Sequence, residues 1–478
     1  MVPTPKYLIR RNINMAAPTT IASAEGSLYE LVARGKKDTY FFQDTEESSN
    51  VFDSSYKPQT PWLSEIRRVP ARTAAEFGRS VDFDIELIGD VMIAPTFLIN
   101  LPTWLPPNVA ATSSRSVITD TAGVSYGYTN GAAYFLFESI QIYQDTLLLQ
   151  EFSGDALWAV SKLQGTYAHS FIGNDLTGTH DGTPLSIARN AAPPQLRLSI
   201  PFIGCQPGDP GFPQRAVTSQ TYRIKAKLRR LEDLVEASDS RTKPTPWGRG
   251  DFQQRTSKTQ IHSFTTLDRT AILPLQLQLE TTQIYTSRQV QELLKSQRHT
   301  LPFTRLYESV FTQGPLDYQG INNSGISVVS RRLDGRHPSG RVLFYFRNSA
   351  DLLANRLWKI DSQGSSYYNS VSLLIAGRTR EDPQSARIWR DVVCHAKEDL
   401  DSGLELSSMN WTLGDAVSRR PLDTKQPEGA INFTTADRPT FYIDLARPNS
   451  LSTELRVIVE GWALYQTDAG RGELFQLN

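Results

Sequence analysis

Apolar and polar residues alternate along much of this chain. Residues 81–88 put Val, Phe, Ile and Leu on one face of an extended strand and two aspartates and a glutamate on the other, which is typical of a strand with one face in water. The same period of two predicts strands at residues 135–143, 196–202, 222–228, 271–279, 342–346 and 455–465. Pro201 and Pro274 are expected near strand ends or edges, because proline cannot donate to a central hydrogen-bond ladder.

Two short segments have helical spacing instead. In residues 154–163 and 287–296 the apolar side chains recur every three or four positions, which predicts short helices. Ser287 is a suitable N-cap for the second of them. We expect both to be crossover helices between strands.

The composition agrees with an all-β fold. The chain has 28 prolines, 30 glycines, 21 Phe, 18 Tyr and 8 Trp against four methionines, which favours strands and turns over long helices. Its 478 residues are too many for one ordinary core, since a domain holds roughly 100–200 residues. We therefore expect two large all-β units with long loops.

The charge balance argues against nucleic acid as a direct partner. Fifty Lys and Arg residues balance fifty Asp and Glu residues, so no net field draws a polyanion to the surface. The basic run at 223–230 is followed at once by Glu232, Asp233 and Glu236, which favours a self-compensated surface. No apolar run reaches the roughly 18–20 residues of a transmembrane segment, and the amino end lacks a secretory signal. A soluble protein made in the cytosol is the expectation.

No metal or cofactor site is predicted. Cys205 and Cys394 lie far apart and lack the spacing of a zinc site, so free, buried thiols in a reducing compartment are expected. The six histidines show no i, i+4 metal-binding pair. We interpret them as ordinary buried or exposed side chains.

Catalytic motifs are missing from the sequence as well. Neither a Gly-x-Ser-x-Gly elbow nor a phosphate-binding glycine loop occurs. Asp82, Asp84 and Glu86 share one strand face, but a glycosidase needs paired acids about 5–10 Å apart on a concave surface. We interpret these acids as the solvated face of the strand, and no catalytic residue is predicted.

The last part of the chain carries the most informative motifs. Gln-Pro-Glu-Gly-Ala-Ile-Asn-Phe at 426–433 precedes a short strand-like segment, a long one at 455–465 and Gly-Arg-Gly-Glu-Leu-Phe-Gln-Leu-Asn at 470–478. This order resembles the C-terminal part of the double jelly-roll major capsid proteins of nucleocytoplasmic large DNA viruses. That family usually has Ser in place of Glu428 and Gly in place of Glu473.

Further motifs resemble the same family in the same order. Gly-Ser-Leu-Tyr-Glu-Leu-Val-Ala, which opens the segment 26–42, resembles the start of the family's first barrel. Gly-Asp-Ala-Leu at 154–157 resembles its Gly-Asp-x-Leu helix, and the proline-rich segment 200–213 resembles the one before the last strand of that barrel. The predicted helix before His299 resembles the opening of the second barrel.

The resemblance implies two tandem eight-stranded antiparallel jelly rolls with short crossover helices and long loops. With the polar, turn-rich stretch after position 236 as a boundary, it predicts an N-terminal arm at 1–25, a first jelly roll at 26–236, a linker or insertion at 237–268 and a second jelly roll at 269–478. The implied function is a structural capsid protein, not an enzyme, that forms pseudo-hexagonal homotrimers in an icosahedral shell. The implied partners are neighbouring capsomers and minor capsid proteins beneath the shell. The implied location is the virion, after synthesis and assembly in the host cytoplasm.

Two alternative functions stay open. The departures at Glu428 and Glu473 favour a minor capsid paralogue at special positions of the same shell. The other alternative is a carbohydrate-binding or carbohydrate-active β-sandwich, which requires an aromatic cleft with convergent acids. Asn322, in one of three Asn-x-Ser/Thr triplets, lies in a predicted loop tip and is the candidate glycosylation site.

Overall fold

Strands form the framework of the part of the chain that the structure describes. The computed structural model describes residues 61–102, 126–163, 193–205, 209–238, 275–314, 328–360, 367–394, 406–412, 429–434, 439–446, 452–468 and 470–475, with short pieces within 177–190 and at 244–246 and 252–254.

The strands and helices follow one another in this order along the chain. The strands are β1 (Trp62–Pro70), β2 (Ser80–Ile85), β3 (Val91–Asn100), β4 (Tyr126–Tyr128), β5 (Phe137–Gln144), β6 (Leu147–Phe152), β7 (Leu196–Ser199), β8 (Phe212–Pro213), β9 (Tyr222–Leu228), β10 (Val235–Ala237), β11 (Pro244–Pro246), β12 (Phe252–Gln254), β13 (Gln276–Thr286), β14 (His299–Gln313), β15 (Val328–Arg332), β16 (Pro338–Asn348), β17 (Tyr368–Ile375), β18 (Arg378–Ser385), β19 (Leu406–Asn410), β20 (Ile431–Asn432), β21 (Thr440–Leu445), β22 (Thr453–Asp468) and β23 (Arg471–Phe475). The α-helices are α1 (Ala132–Phe135), α2 (Gly154–Leu163), α3 (Arg288–Ser296) and α4 (Ser349–Leu353). Short 3₁₀ turns lie at Gln214–Val217 and Leu231–Asp233, and a π-helix lies at Arg387–Cys394.

The first half of the described chain forms two facing sheets. One has the order β1-β13-β3-β7, with β8 also paired to β3, and the other has the order β2-β9-β5-β6. Neighbouring strands are antiparallel. The Phe97 ring lies between Phe83 and Phe137 of the facing sheet, with ring centroids 5.3 Å and 4.9 Å away. We call this pair of sheets the first barrel.

The second half forms another pair of facing sheets. Their orders are β14-β22-β16-β19 and β15-β21-β17-β18; β20 also pairs with β16, and β23 also pairs with β22. The Phe344 ring contacts Phe441 and Tyr368 of the facing sheet, with centroids 5.4 Å and 5.7 Å away. We call this pair the second barrel.

The two barrels share one strand order. The long strands of the first barrel are β1, β2, β3, β5, β6, β7, β9 and β13, and those of the second are β14, β15, β16, β17, β18, β19, β21 and β22. Numbered from one to eight, both sets give sheets of order 1-8-3-6 and 2-7-4-5. An antiparallel sandwich of eight strands with this wrapping is a jelly roll. The chain therefore contains an internal structural repeat, although the sequence shows no repeat between its halves.

The structure confirms the prediction of an all-β chain with short helices. Each of the seven predicted strand segments contains a strand. In β2 the side chains of Val81, Phe83 and Ile85 are at most 5% exposed. The strand β13 lies in the range assigned to the second barrel from the sequence, and it pairs with β1 and β3 of the first.

Both predicted helices are present. The first matches α2 at both ends, and the second is α3, with Ser287 at its N-cap but without a side-chain capping hydrogen bond. Asp90, which is 0% exposed, anchors the start of this helix instead: its Oδ2 accepts from the Thr286 amide, just before the N-cap, at 2.6 Å and from the side-chain Nε2 of Gln291 at 3.1 Å. Pro201 lies just beyond the end of β7, as expected, and Pro274 lies outside the described residues.

Candidate functional site: the interface between the barrels

Strand β16 is buried on both of its faces. Val342 and Phe344 lie in the interior of the second barrel, whereas Leu343 and Tyr345 belong to the core cluster of the first barrel. All four side chains are at most 1% exposed. The apolar run at 342–346 therefore marks a strand that is covered on both sides, and the first barrel provides the second cover.

A charged cluster lies within this apolar interface. Asp155, near the start of α2 in the first barrel, contacts two arginines of the second: Arg347 Nη1 at 2.6 Å and Arg456 Nη1 at 3.4 Å. Arg229 of the first barrel contacts the same carboxylate. The side chains of Asp155 and Arg347 are each only 1% exposed, so this carboxylate is a buried junction between the barrels.

Two glutamates of the second barrel complete the cluster. Glu454 Oε1 lies 2.6 Å from Arg347 Nη2 and 2.6 Å from Arg456 Nε, and Glu308 contacts Arg456. Arg347 Nη1 also donates to the Leu357 carbonyl at 2.8 Å. With Arg229 and Asp155 the cluster contains three arginines and three carboxylates, so its formal charge is zero, as a buried network requires.

The arginines hold the central carboxylate in its charged form. Burial by itself raises the pKa of Asp155, but the charges of Arg456, Arg347 and Arg229 outweigh it and hold this pKa well below its usual range. Burial lowers the pKa of Arg347 and Arg456, but Asp155 and the other nearby acidic groups together outweigh it, so both pKa values are raised. The pKa of Glu454 is lowered, because the two arginines outweigh its burial. We call these six side chains the Asp155 cluster.

Backbone packing explains why a glycine precedes Asp155. A Cβ atom on Gly154 would lie 2.1 Å from the Tyr134 carbonyl oxygen and 2.5 Å from that of Phe137. Only glycine allows the first turn of α2 to come this close to α1 and β5. In the Gly-Asp-Ala-Leu segment, glycine therefore permits the approach, Asp155 joins the barrels, and Leu157 is buried at 7% exposure.

A second patch of the interface lies near the end of β22. The hydroxyls of Tyr222 in the first barrel and Tyr465 in the second are 2.5 Å apart, and Tyr465 donates to Gln144 Oε1 at 3.1 Å. Burial raises the pKa of both tyrosines, so both hydroxyls stay protonated. The Gly472 carbonyl of β23 accepts from Gln144 Nε2 at 2.6 Å, and its amide donates to Gln220 at 2.7 Å.

Gly472 is needed in this patch for steric reasons. A Cβ atom there would lie 1.7 Å from the Tyr465 hydroxyl oxygen. The second glycine of the Gly-Arg-Gly motif therefore lets β23 approach this hydroxyl. The next residue, Glu473, is exposed on β23, so a side chain is tolerated where the resembling family usually has glycine.

A third patch joins β10 to the segment after α4. Glu236 is 0% exposed; its Oε2 accepts from Trp358 Nε1 at 2.9 Å, and its Oε1 lies 3.0 Å from His180 Nε2. His180 Nδ1 accepts from the Gly182 amide at 3.1 Å, which assigns the proton to Nε2. Asn355 Nδ2 donates to the carbonyl of Val235 at 2.7 Å. Two hydrogen bonds, from Trp358 to Glu236 and from Asn355 to Val235, thus cross this contact, whereas His180 Nε2 and Glu236 Oε1 are close but not hydrogen-bonded.

The acidic and basic candidates from the sequence are surface groups or members of these networks. Asp82 and Asp84 lie on the outer face of β2, where Asp84 pairs with Arg72. In the basic run on β9, Lys227 pairs with Glu138 at 2.7 Å, and the Arg229 just beyond β9 belongs to the Asp155 cluster. Two basic residues of the run thus pair with acids, but with Glu138 and Asp155 rather than with the acids that follow the run in the sequence.

The remaining candidates in the described part of the chain include the two thiols and the histidine that opens β14. Neither Cys205, which is half-buried, nor Cys394, which is buried, forms a disulfide. His299 opens β14 and its Nε2 lies 3.0 Å from the Leu294 carbonyl oxygen. No group of His, Cys, Asp or Glu residues arranged to hold a metal occurs among the described residues, nor does any described helix have the length and apolarity to cross a membrane. Asn322, the glycosylation candidate, lies outside the described residues.

The sequence prediction missed the residues that join the barrels. Arg347 and Arg456 alternate with core side chains on β16 and β22, which by itself indicates only an outward face. One signal was available: the uninterrupted apolar run just before Arg347 indicates a strand without a solvated face. A charge at the end of such a strand needs a buried partner.

Solved structures with the same arrangement are viral capsid proteins. PBCV-1 VP54, from a crystal structure fitted into a reconstruction of the virophage Sputnik, has a TM-score of 0.65 to this chain, with 12% identity, covering 89% of this chain and 100% of its own. This is the double jelly-roll fold. A quasi-atomic model of the PBCV-1 capsid gives a TM-score of 0.64 at 12% identity over the same shares, 89% and 100%. The Faustovirus major capsid protein gives 0.55 at 11% identity, covering 87% of this chain and 92% of its own.

The likeness is one of fold rather than of sequence. No family model matches this chain, and a comparison with curated proteins gives no match either. At 11–12% identity few side chains are shared with the solved structures. The comparisons therefore show the shared fold, and the interface contacts described above are those of this chain.

Proposed function

We propose that this double jelly-roll chain is a structural capsid protein of a large DNA virus. The observation that carries the proposal is the pairing of two barrels of one strand order, held side by side by the Asp155 cluster. Such a chain presents two similar barrels whose relative orientation is fixed. The fold shared with the PBCV-1 and Faustovirus capsid proteins supports the same role.

The assembly that suits this architecture is a trimer. Three chains with two similar barrels each approximate a hexagon, and a closed ring of like contacts is the usual form of a homo-oligomer. Such pseudo-hexagonal capsomers tile the facets of an icosahedral shell. We expect the protein in the virion, after synthesis and assembly in the host cytoplasm, with neighbouring capsomers and minor capsid proteins as partners. We expect no cofactor, no catalytic activity and no direct contact with nucleic acid.

The division of the chain also belongs to this proposal. Because β13 is the eighth strand of the first barrel, we place the end of that barrel at Thr286 and the start of the second at His299, with α3 as the connection. Residues 237–268 then lie between the seventh and eighth strands of the first barrel. Residues 1–25 are proposed as an arm that contacts neighbouring subunits or minor proteins.

A minor capsid paralogue is the second candidate. The exposed Glu473 on β23 replaces a residue that is usually glycine in the resembling family, which favours a divergent member. The copy number of the chain in purified particles distinguishes the two roles, because a major capsid protein is the most abundant shell component. A carbohydrate-active sandwich is disfavoured, since Asp84 is engaged by Arg72 on an outward face.

The oligomeric mass of the purified protein tests the proposal. Light scattering or native mass spectrometry is expected to give about three times the 53.5 kDa of the chain, and electron microscopy is expected to show pseudo-hexagonal particles. A protein that stays monomeric under all assembly conditions contradicts it. Deleting residues 1–25 is expected to leave trimers intact and to reduce assembly of larger particles. An unchanged particle yield contradicts the proposed role of the N-terminal arm in assembly.

A further inference from the structure

The internal repeat gives each element of the first barrel a counterpart in the second. The first strands of the two barrels are β1 and β14, and the fifth strands are β6 and β18. A helix follows each fifth strand: α2 after β6, and the π-helix Arg387–Cys394 after β18. Within one chain, the fifth strand of the first barrel meets the first strand of the second. The two matching elements, the first strand of the first barrel and the fifth strand of the second, lie on the outer sides of the pair.

Within the chain, the first strand of the second barrel lies against the fifth strand and following helix of the first. Gln150 of β6 is 0% exposed and its Nε2 lies 3.3 Å from the Thr304 carbonyl oxygen of β14. Phe303 of β14 is 2% exposed and belongs to the first barrel's core cluster. Asp155 of α2 lies against Arg456 on β22, the neighbour of β14. This side of the second barrel is covered by the first barrel.

The counterpart side of the first barrel is exposed. On β1 the side chains of Trp62, Leu63 and Ile66 are 61%, 67% and 62% exposed. Strand β1 ends its sheet, and among the described strands only β13 pairs with it. A nine-residue edge strand with three large apolar side chains in water is unusual for an isolated chain, since such edges promote association.

The counterpart of β6 is exposed as well. Seven of the eight residues of β18 are exposed, whereas Leu149 and Gln150 on β6 are 0% exposed. Val392 on the π-helix after β18 is 52% exposed. Each end of the barrel pair thus presents one half of the contact that is buried in the middle of the chain.

We propose that the outer side of β1 docks on β18 and the π-helix of a second copy of this chain. The inference rests on the proposed capsid function and specifies its subunit contact. The two surfaces differ, so the contact is head-to-tail, and such contacts form a ring when the rotation closes. Repeating the internal contact in this way places all barrels in one circle and covers both exposed sides.

The chemistry of β18 sets the kind of contact. Pro383 cannot donate a hydrogen bond, and Arg380, Glu381 and Asp382 place charges along the strand, features that protect an edge from pairing with another strand. The contact is therefore side-chain packing, with Trp62 and Ile66 of one copy covered by the other, and not a continuous sheet. This agrees with the internal contact, where a Gln150 side chain and not a strand ladder reaches β14.

Cross-linking of mixed chains tests the polarity of the contact. One preparation carries Ser64→Cys, on the same face of β1 as Trp62 and Ile66, and another carries Gln384→Cys. They are mixed under assembly conditions and treated with a short bis-maleimide. A cross-linked dimer is expected in the mixture and not in either preparation alone. The unsubstituted chain, treated in the same way, shows whether the native Cys205 forms any cross-link. Dimers formed by Ser64→Cys alone indicate a two-fold contact between β1 strands and overturn the proposal.

Charge substitution tests the apolar patch. Trp62→Glu with Ile66→Glu is expected to weaken assembly at least about tenfold, whereas Leu353→Glu, at a residue 64% exposed on α4, leaves it unchanged. Circular dichroism and the unfolding midpoint verify that each variant is folded. Trimers that persist in the β1 variant, without mixed cross-links, overturn this contact and leave the capsid proposal standing. If the unsubstituted chain is monomeric, both the β1 contact and the capsid proposal are overturned. If cross-links appear only after residues 1–60 are deleted, this segment and not a second copy covers β1, and the proposed contact is overturned.

Discussion

Arg347 Nη1 lies 2.6 Å from Asp155 Oδ1 across the boundary between the two barrels, and the two residues are 192 positions apart in the chain. Removing two charges from water is costly, and their attraction offsets this cost only when the remaining hydrogen-bonding groups are satisfied. Glu454 and the Leu357 carbonyl satisfy the rest of the guanidinium. The pair therefore fixes how the barrels meet more than it adds net stability.

Replacement of Asp155 by asparagine is expected to destabilise the protein strongly. Arg347 and Arg456 would keep their charges in a buried site that has lost its central carboxylate, and breaking such a network costs about 3–5 kcal/mol. Guanidinium unfolding at neutral pH measures the change. Asp84→Asn is the matched control, because its pair with Arg72 is exposed and such pairs contribute at most about 1 kcal/mol. Equal losses in the two variants contradict the role given to the cluster.

The tyrosine pair is expected to respond asymmetrically. Tyr465→Phe leaves both the Tyr222 hydroxyl and Gln144 Oε1 without this partner, whereas Tyr222→Phe leaves the bond from Tyr465 to Gln144 in place. We expect a loss of about 2 kcal/mol for the first and about 1 kcal/mol for the second. The double variant should lose less than the sum, because the two hydroxyls share one bond. Strict additivity in equilibrium unfolding would speak against a direct contact.

Stability is expected to fall in acid through the buried carboxylates. The pKa values of Asp155, Glu454 and Asp90 are below their ordinary values, so the folded chain binds these protons less tightly than the unfolded chain. Their stabilisation is complete above the unfolded pKa values, near about 4, and is lost as pH falls through the folded values. The unfolding midpoint should be flat from about pH 8 to 5 and should then decrease. Asp155→Asn should flatten that decrease; an identical acid slope in this variant excludes a contribution from Asp155.

A methyl group at position 154 is expected to disturb the start of α2. The Cβ of Gly154→Ala would lie 2.1 Å from the Tyr134 carbonyl oxygen, so the helix must shift and move Asp155 away from its arginines. Overpacking of this kind costs about 1–3 kcal/mol. Gly314→Ala is the control, because nothing lies within 4 Å of a Cβ there. The prediction fails if the two variants unfold at the same denaturant concentration.

Local pattern was sufficient for the seven predicted strand segments and the two longer helices, but not for strands such as β1, β3, β14 and β18. In β2, Val81 and Phe83 are buried where alternation predicts an inward face, because the period of two is a property of the extended backbone. The Gly-Asp-Ala-Leu segment was also identified as a family-like motif. Its chemistry was not, since the partner of Asp155 lies on a strand far away in the sequence and no local spacing indicates it.

The position of the boundary between the barrels could not be derived from local sequence either. The polar stretch after position 236 has the composition of a linker, yet β13 beyond it pairs with β1 and β3 of the first barrel. Turn-forming composition marks where the chain leaves a sheet. It does not indicate whether the chain later returns to the same sheet.

The sequence by itself determined seven strand segments and two helices, the apolar face of β2, and that the chain resembles the double jelly-roll capsid proteins. These properties depend on neighbouring residues, whose side chains alternate whatever the rest of the chain does. Only the tertiary structure decided that β16 is covered on both faces, that Asp155 meets Arg347, and that β1 and β18 remain exposed while β14 and β6 are covered. Those outcomes depend on which distant surfaces pack together, and that choice is made by the whole chain through burial and charge pairing.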